Sequence, residues 1–152
     1  MKKVKILGVI CLFSCCFLLS GCGKGKVLTC SINQEQAGLS MDQSVQFTFN
    51  GNKVSNLRLT VASKAVNDSI KSQWDTFAES LDSQFPDSNL QGIKLTKENK
   101  EKDYTYTITI DVDVAKADDK DLAKYDLDGL ADLEGTYDSV KKEAKKSGFT
   151  CE

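Results

Sequence analysis

The chain has 152 residues, a formal net charge of −2, no histidine and six cysteines. Without histidine there is no imidazole metal site, no Ser-His-Asp or Cys-His catalysis and no ordinary neutral-pH acid/base. The mildly acidic balance argues against nucleic acid as a partner.

Residues 1–21 form a leader to be removed rather than a part of the fold. Lys2, Lys3 and Lys5 precede a nearly unbroken apolar run from Ile6 to Leu19, about the length of a secretory h-region and short for a bilayer span. Cys11, Cys15 and Cys16 lie inside that run as small hydrophobes. Three of the twenty basic residues leave with the leader, so 17 remain against 22 acidic ones, a net charge of −5. The remaining length suits one domain with a modest core.

Leu19-Ser20-Gly21-Cys22 closes the leader. Basic start, apolar run, small residues and cysteine in register resemble the lipobox of bacterial lipoproteins. That resemblance implies a diacylglyceryl group on the Cys22 sulfur, with cleavage before it. Two acyl chains give stable anchoring where one is marginal, at roughly 0.8 kcal/mol per buried methylene. Residues 22–26, with Gly23-Lys24-Gly25-Lys26, then form a short flexible tether, and residues 27–152 form the single folded domain.

A first strand is expected over Val27 to Ile32 and carries Cys30. Its one plausible partner is the penultimate residue, Cys151, because lone cysteines outside the cytoplasm usually pair. Closing a loop of this size contributes roughly 4 to 5 kcal/mol in the chain-entropy view. Two free thiols in a reducing setting are the alternative; neither cysteine has the neighbouring cation, helix start or second thiol that a redox site needs.

Gln43 to Phe49 alternates, with Val45, Phe47 and Phe49 on one side, and Lys53 to Ala62 continues with Val54, Leu57, Leu59 and Val61. Asn50-Gly51 between them signals a hairpin. From Asn67 the period changes: Ile70, Trp74, Phe77, Leu81 and Phe85 make one helical stripe, capped by Asn67 or Asp68 and stopped before Pro86. Trp74 falls on this stripe as a core residue. A second strand pair follows, Leu90 to Thr96 and Asp103 to Val114, joined by the charged turn 97–102. In its second strand Tyr104, Tyr106, Ile108, Ile110, Val112 and Val114 share one face; Thr105, Thr107, Thr109, Asp111 and Asp113 share the other. Such alternation predicts a sheet with one covered and one wet face. Asp118 to Tyr125 suggests a short helix. Thr136 caps a final helix through Lys146, and Gly148 stops it. Its Lys141, Lys142, Lys145 and Lys146 suit the negative end of the helix dipole. The expected architecture is α+β: a mostly antiparallel sheet of about five strands with a central and a C-terminal helix on one face.

Two carboxylate groupings invite chemistry. Asp111 and Asp113 point the same way and could support glycoside hydrolysis, but a solvated face is the simpler reading. The segment 126–134 is acidic, yet an EF-hand-type calcium loop needs three alternating oxygen ligands before its glycine and a glutamate at position twelve. Only Asp126 and Asp128 precede Gly129. No metal or cofactor is therefore assigned, with Asp126, Asp128 and Asp132 the only candidate ligands.

With the lipobox, the turn-rich first hairpin, the central helix and the ending Lys145-Lys146-Ser147-Gly148-Phe149, the mature chain resembles the YehR-like family of small bacterial lipoproteins. The resemblance implies no activity and supplies no catalytic residues. The Cys30 and Cys151 pair departs from members without cysteines there. The expectation is a lipid-anchored lipoprotein of the cell envelope, on the extracytoplasmic side of the membrane, binding another macromolecule or a small ligand without turning it over. A structural or assembly role beside a membrane complex is the alternative, and an enzyme is a distant third.

Overall fold

A computed structural model describes residues 25–87, 90–125, 127 and 135–152. The leader, Cys22, and Asp126, Asp128 and Asp132 lie outside them. The protein is α+β. Six antiparallel strands, β1 (Val27–Gln36), β2 (Leu39–Asn50), β3 (Lys53–Ala65), β4 (Ile93–Lys100), β5 (Thr105–Asp113) and β6 (Thr150–Cys151), form one sheet in the order β4-β5-β3-β2-β1-β6. Among the described residues four helices accompany them: α1 (Asp68–Lys71), α2 (Trp74–Gln84), α3 (Asp119–Leu122) and α4 (Tyr137–Lys146).

The sixth strand, beyond the five or so expected, has only two residues. It exists because α4 ends in a tight reversal. Gly148, at φ +89°, lets its own N–H donate to the Lys145 carbonyl and that of Phe149 to the Ala144 carbonyl, the double closure of a Schellman cap. The chain then returns along β1, where Thr29 and Glu152 exchange both backbone hydrogen bonds. That makes Cys30 and Cys151 the adjacent non-hydrogen-bonded pair, the kind that brings Cα atoms closest; they lie 4.0 Å apart and form a disulfide across 121 positions.

The first three strands are a meander. Ala37 and Gly38, both at positive φ, turn β1 into β2, so the first two strands run further than the alternation from Val27 and Gln43 indicated. Gly51 at φ +64° turns β2 into β3. The apolar spacing of three between Val54 and Leu57 would put these residues on opposite faces of a regular strand. A register shift beside Thr48 and Phe49 absorbs the odd residue, so Phe49, Val54 and Leu57 are all buried.

The helical stripe from Ile70 to Phe85 packs on the core, but in two helices. Asn67 caps α1 through Ile70 N–H at 2.9 Å, and Ser72 Oγ donates to the Ser69 carbonyl at 2.8 Å. Such side-chain competition with the backbone favours a break, and α2 starts afresh at Trp74. β4 runs to Lys100 through what the sequence suggested was a charged turn, leaving only a 3-10 turn, Glu101–Asp103, before β5. Tyr104 lies outside β5 at φ +48° and is exposed.

All this packing concerns one face. Leu28, Cys30, Phe47, Phe49, Leu57, Ile93, Tyr106, Ile108, Ile110 and Val112 form a core with Trp74 and Ala78 of α2, Leu122 of α3 and Val140 of α4. Each large apolar side chain buried there contributes about 1.5–3 kcal/mol. The Phe49 and Tyr137 rings, 5.7 Å apart, join α4 to the β1–β2 half; Trp74 Nε1 donating to Asn99 Oδ1 at 3.1 Å joins α2 to the β4–β5 half. Lys26 is held to β2, its carbonyl accepting from Phe49 N–H at 2.8 Å. Among the described residues no helix is long and apolar enough to cross a membrane.

Candidate functional site: the open face of the sheet

Because side chains alternate along a strand, burying one set leaves the other on the face opposite the helices. Strand register gathers that set into rows. One row holds only hydroxyls, Ser31, Ser44, Thr60, Thr109 and Thr96, taken across β1, β2, β3, β5 and β4. The next row toward the start of β1 is Thr29, Gln46, Arg58, Asp111 and Lys94. No aromatic side chain occupies these rows.

Gln46, Arg58, Asp111 and Lys94 of the second row line a shallow groove of about 530 Å³, together with Asn56, Asp113 and Lys116. Arg58 Nε donates to Asp111 Oδ1 at 2.5 Å, an ion pair between register partners on β3 and β5. Lys116 Nζ donates to Asp113 Oδ2 at 2.6 Å. That hydrogen bond is the main reason the Asp113 carboxyl is held below its ordinary range. The two aspartates do share a face, as their spacing predicted. They do not form a proton-sharing pair, because each has its own cation. The general acid of a glycosidase pair needs a raised pKa; Asp113, shifted the opposite way, does not fit that role.

Cation and hydroxyl capacity is left over. Lys94 is paired in register with Asp111, yet its ammonium makes no ion pair or hydrogen bond among the described residues. Arg58 is engaged only through Nε, which leaves its terminal nitrogens available in a half-exposed side chain. Three cations against two carboxylates make the groove locally positive on an acidic domain.

The covered face has a polar cluster of a different kind. Lys97, with only 14% of its side chain exposed, reaches Asp82 at 2.8 Å and Asp87 at 3.1 Å. It also donates to the Phe85 carbonyl at 3.1 Å, and Tyr106 Oη donates to Asp82 Oδ1 at 2.8 Å. Burial, aided by the Asp82 bond, pushes the Tyr106 hydroxyl up to about 12. Every member is satisfied by another, so the cluster fastens the end of α2 to β4. Among the described residues there is no group of three or more His, Cys, Asp or Glu side chains that could hold a metal.

No protein-family model matches the chain, and no curated protein matches it. An NMR structure of a protein from Streptococcus pneumoniae TIGR4 is similar, with a TM-score of 0.57 over 88% of both chains at 15% sequence identity. At that identity the likeness concerns the fold alone.

Sequence alternation had assigned Asp111 and Asp113 to this face. Arg58 and Lys94 went unnoticed, although a signal was present: Arg58 is the sole arginine, placed at the polar position of Leu57-Arg58-Leu59.

Proposed function

We propose that this protein is a lipid-anchored extracytoplasmic lipoprotein whose domain binds a partner through the open face of its sheet without catalysing a reaction. The carrying observation is the sequence Leu19-Ser20-Gly21-Cys22 at the end of a basic and apolar leader. The Cys30–Cys151 disulfide supports the same reading, since such bonds persist in oxidising compartments. A binding role is favoured over turnover because the face offers uncommitted cations and hydroxyls while its carboxylates are neutralised. The resemblance to the YehR-like lipoproteins is consistent with this and adds no activity.

Labelling growing cells with an alkynyl fatty acid tests the anchor. The expected result is a labelled, membrane-associated protein, with both properties lost in Cys22→Ala. An unlabelled wild-type chain in the soluble fraction would overturn it. Saturable turnover of an envelope substrate, lost in Asp111→Asn/Asp113→Asn, would overturn the non-catalytic part. Should the Cys22→Ala chain stay folded while a stoichiometric membrane partner no longer co-purifies, the assembly role takes precedence.

A further inference from the structure

We infer that Asn50 is a site of spontaneous covalent modification, where the turn Asn50-Gly51 closes to a succinimide and reopens in water as aspartate or isoaspartate. This modification is independent of the anchored, partner-binding reading above.

The reaction needs a backbone nitrogen beside a side-chain amide. The Gly51 nitrogen attacks Cγ of Asn50 and forms the new N–C bond of the ring. That nitrogen gives up its proton, the Cγ–Nδ2 bond breaks, and the amide nitrogen takes a proton and leaves as ammonia. Water then adds to one ring carbonyl and breaks its bond to the nitrogen. Opening at Cγ leaves aspartate; opening at the main-chain carbonyl leaves isoaspartate, whose backbone runs through the side chain and is longer by one carbon. Either product carries a carboxylate where a neutral amide stood, and water is the only co-reactant.

Sequence and structure select Asn50 for this chemistry. Of the asparagines in the chain, only Asn50 precedes a glycine, which has no Cβ to shield its nitrogen or restrict rotation about it. Asn50 and Gly51 are both exposed. Among the described residues nothing lies within 4 Å of the place a Gly51 Cβ would take, so the peptide plane between the two residues turns without meeting a neighbour. The Gly51 N–H makes no backbone hydrogen bond among the described residues, and the attack therefore sacrifices none. Other asparagine side chains are held. Asn33 Nδ2 donates to Asp42 Oδ1 at 2.5 Å, Asn67 Oδ1 accepts from Ile70 N–H at 2.9 Å, and Asn99 Oδ1 accepts from Trp74 Nε1 at 3.1 Å. The Asn50 amide has no such bond among the described residues.

Position also makes the products tolerable. Asn50 pairs with Lys53 at the very end of the β2–β3 ladder, one residue beyond the buried Phe49. An extra backbone carbon there is taken up in solvent rather than in the core. Lys53, as register partner, puts a cation on the same side of the turn as the new carboxylate.

The test incubates the full chain in detergent at neutral and mildly alkaline pH and follows each asparagine by peptide mass mapping, with a protein-isoaspartate methyltransferase as the probe for isoaspartate. Conversion of amide to acid is expected at Asn50 about tenfold or more faster than at Asn52, a barrier lower by about 1.4 kcal/mol. The rate should rise with hydroxide concentration, because the backbone nitrogen attacks in its deprotonated form. Asn50→Gln should abolish the signal, since the larger ring closes more slowly, and this exposed substitution leaves the fold in place. Gly51→Ala should slow it as well, although alanine at φ +64° also strains the turn. Asn50 reacting no faster than Asn52, or an isoaspartate signal that survives Asn50→Gln, would overturn the inference. So would protection of Asn50 in the native chain by about tenfold or more relative to the chain in urea, because the folded turn would then hold the nitrogen away from Cγ.

Discussion

The two faces of one sheet treat polar groups in opposite ways. On the covered face, Lys97, whose side chain is largely covered, finds partners in the more exposed Asp82 and Asp87, and Tyr106 bonds Asp82 as well, because a covered charge without a partner is costly. On the open face, Lys94 and the hydroxyl row have no protein partners among the described residues, because water can serve them. Lys94 and Lys97 belong to the same edge strand, three positions apart, and so point to opposite faces. One lysine type thus fastens the fold or remains available for binding according only to the parity of its position.

The largest effect should come from the staple that closes this arrangement. Cys30→Ser with Cys151→Ser should lower stability by roughly 4 kcal/mol in the chain-entropy view, measured by denaturant unfolding with and without reductant. A double mutant as stable as the oxidised wild type would mean that β6 is held by its ladder alone. Next comes the covered face. Ile110 is 2% exposed at the centre of the sheet, and Ile110→Thr removes apolar contacts while burying a hydroxyl. The expected loss is about 3 kcal/mol.

Much of this contrast was legible in the sequence. The alternation from Tyr106 to Val112 already separated the faces, and the stripe from Ile70 to Phe85 marked the helix side, because burial imposes the same period on sequence and structure. What escaped the reading involved strands at an edge and breaks made by hydrogen bonds. Lys97, Glu98, Asn99 and Lys100 look like a turn by composition; an edge strand accepts charge, and only the tertiary positions of Asp82 and Trp74 explain why Lys97 and Asn99 belong in it. The break between α1 and α2 depends on serine geometry that leaves the apolar stripe unaltered. Which lysine of the open face lacks a carboxylate partner is a property of register across strands far apart in sequence.

A smaller effect tests the covered cluster. Lys97→Met keeps most of the side-chain volume and removes the cation, leaving the Phe85 carbonyl and Asp82 without it, so roughly 1.5 kcal/mol should be lost. The cluster also predicts a pH dependence on both sides of neutrality. Its hydrogen bond from Lys97 lowers Asp82 below its ordinary 3.8, so that contribution is present above this value and is lost as pH falls through the lowered one. The Asp82 bond raises Lys97 above 10.5, and Tyr106 moves from 10.0 to about 12. Their contributions are complete below pH 10 and disappear as pH rises through the raised values. In Lys97→Met the acid limb should flatten, and an unchanged limb in denaturation midpoints would remove Lys97 from this role.

The smallest change in stability is expected one residue away from Ile110. Thr109 faces the open side between Thr60 and Thr96, and Thr109→Val keeps the β-branched shape that suits a strand. With no partner for its hydroxyl among the described residues, the substitution should shift stability by less than about 0.5 kcal/mol. A loss as large as that of Ile110→Thr would mean that the hydroxyl row is a structural network rather than a free surface. If stability holds, two adjacent residues of one strand divide between them the packed core and the open surface.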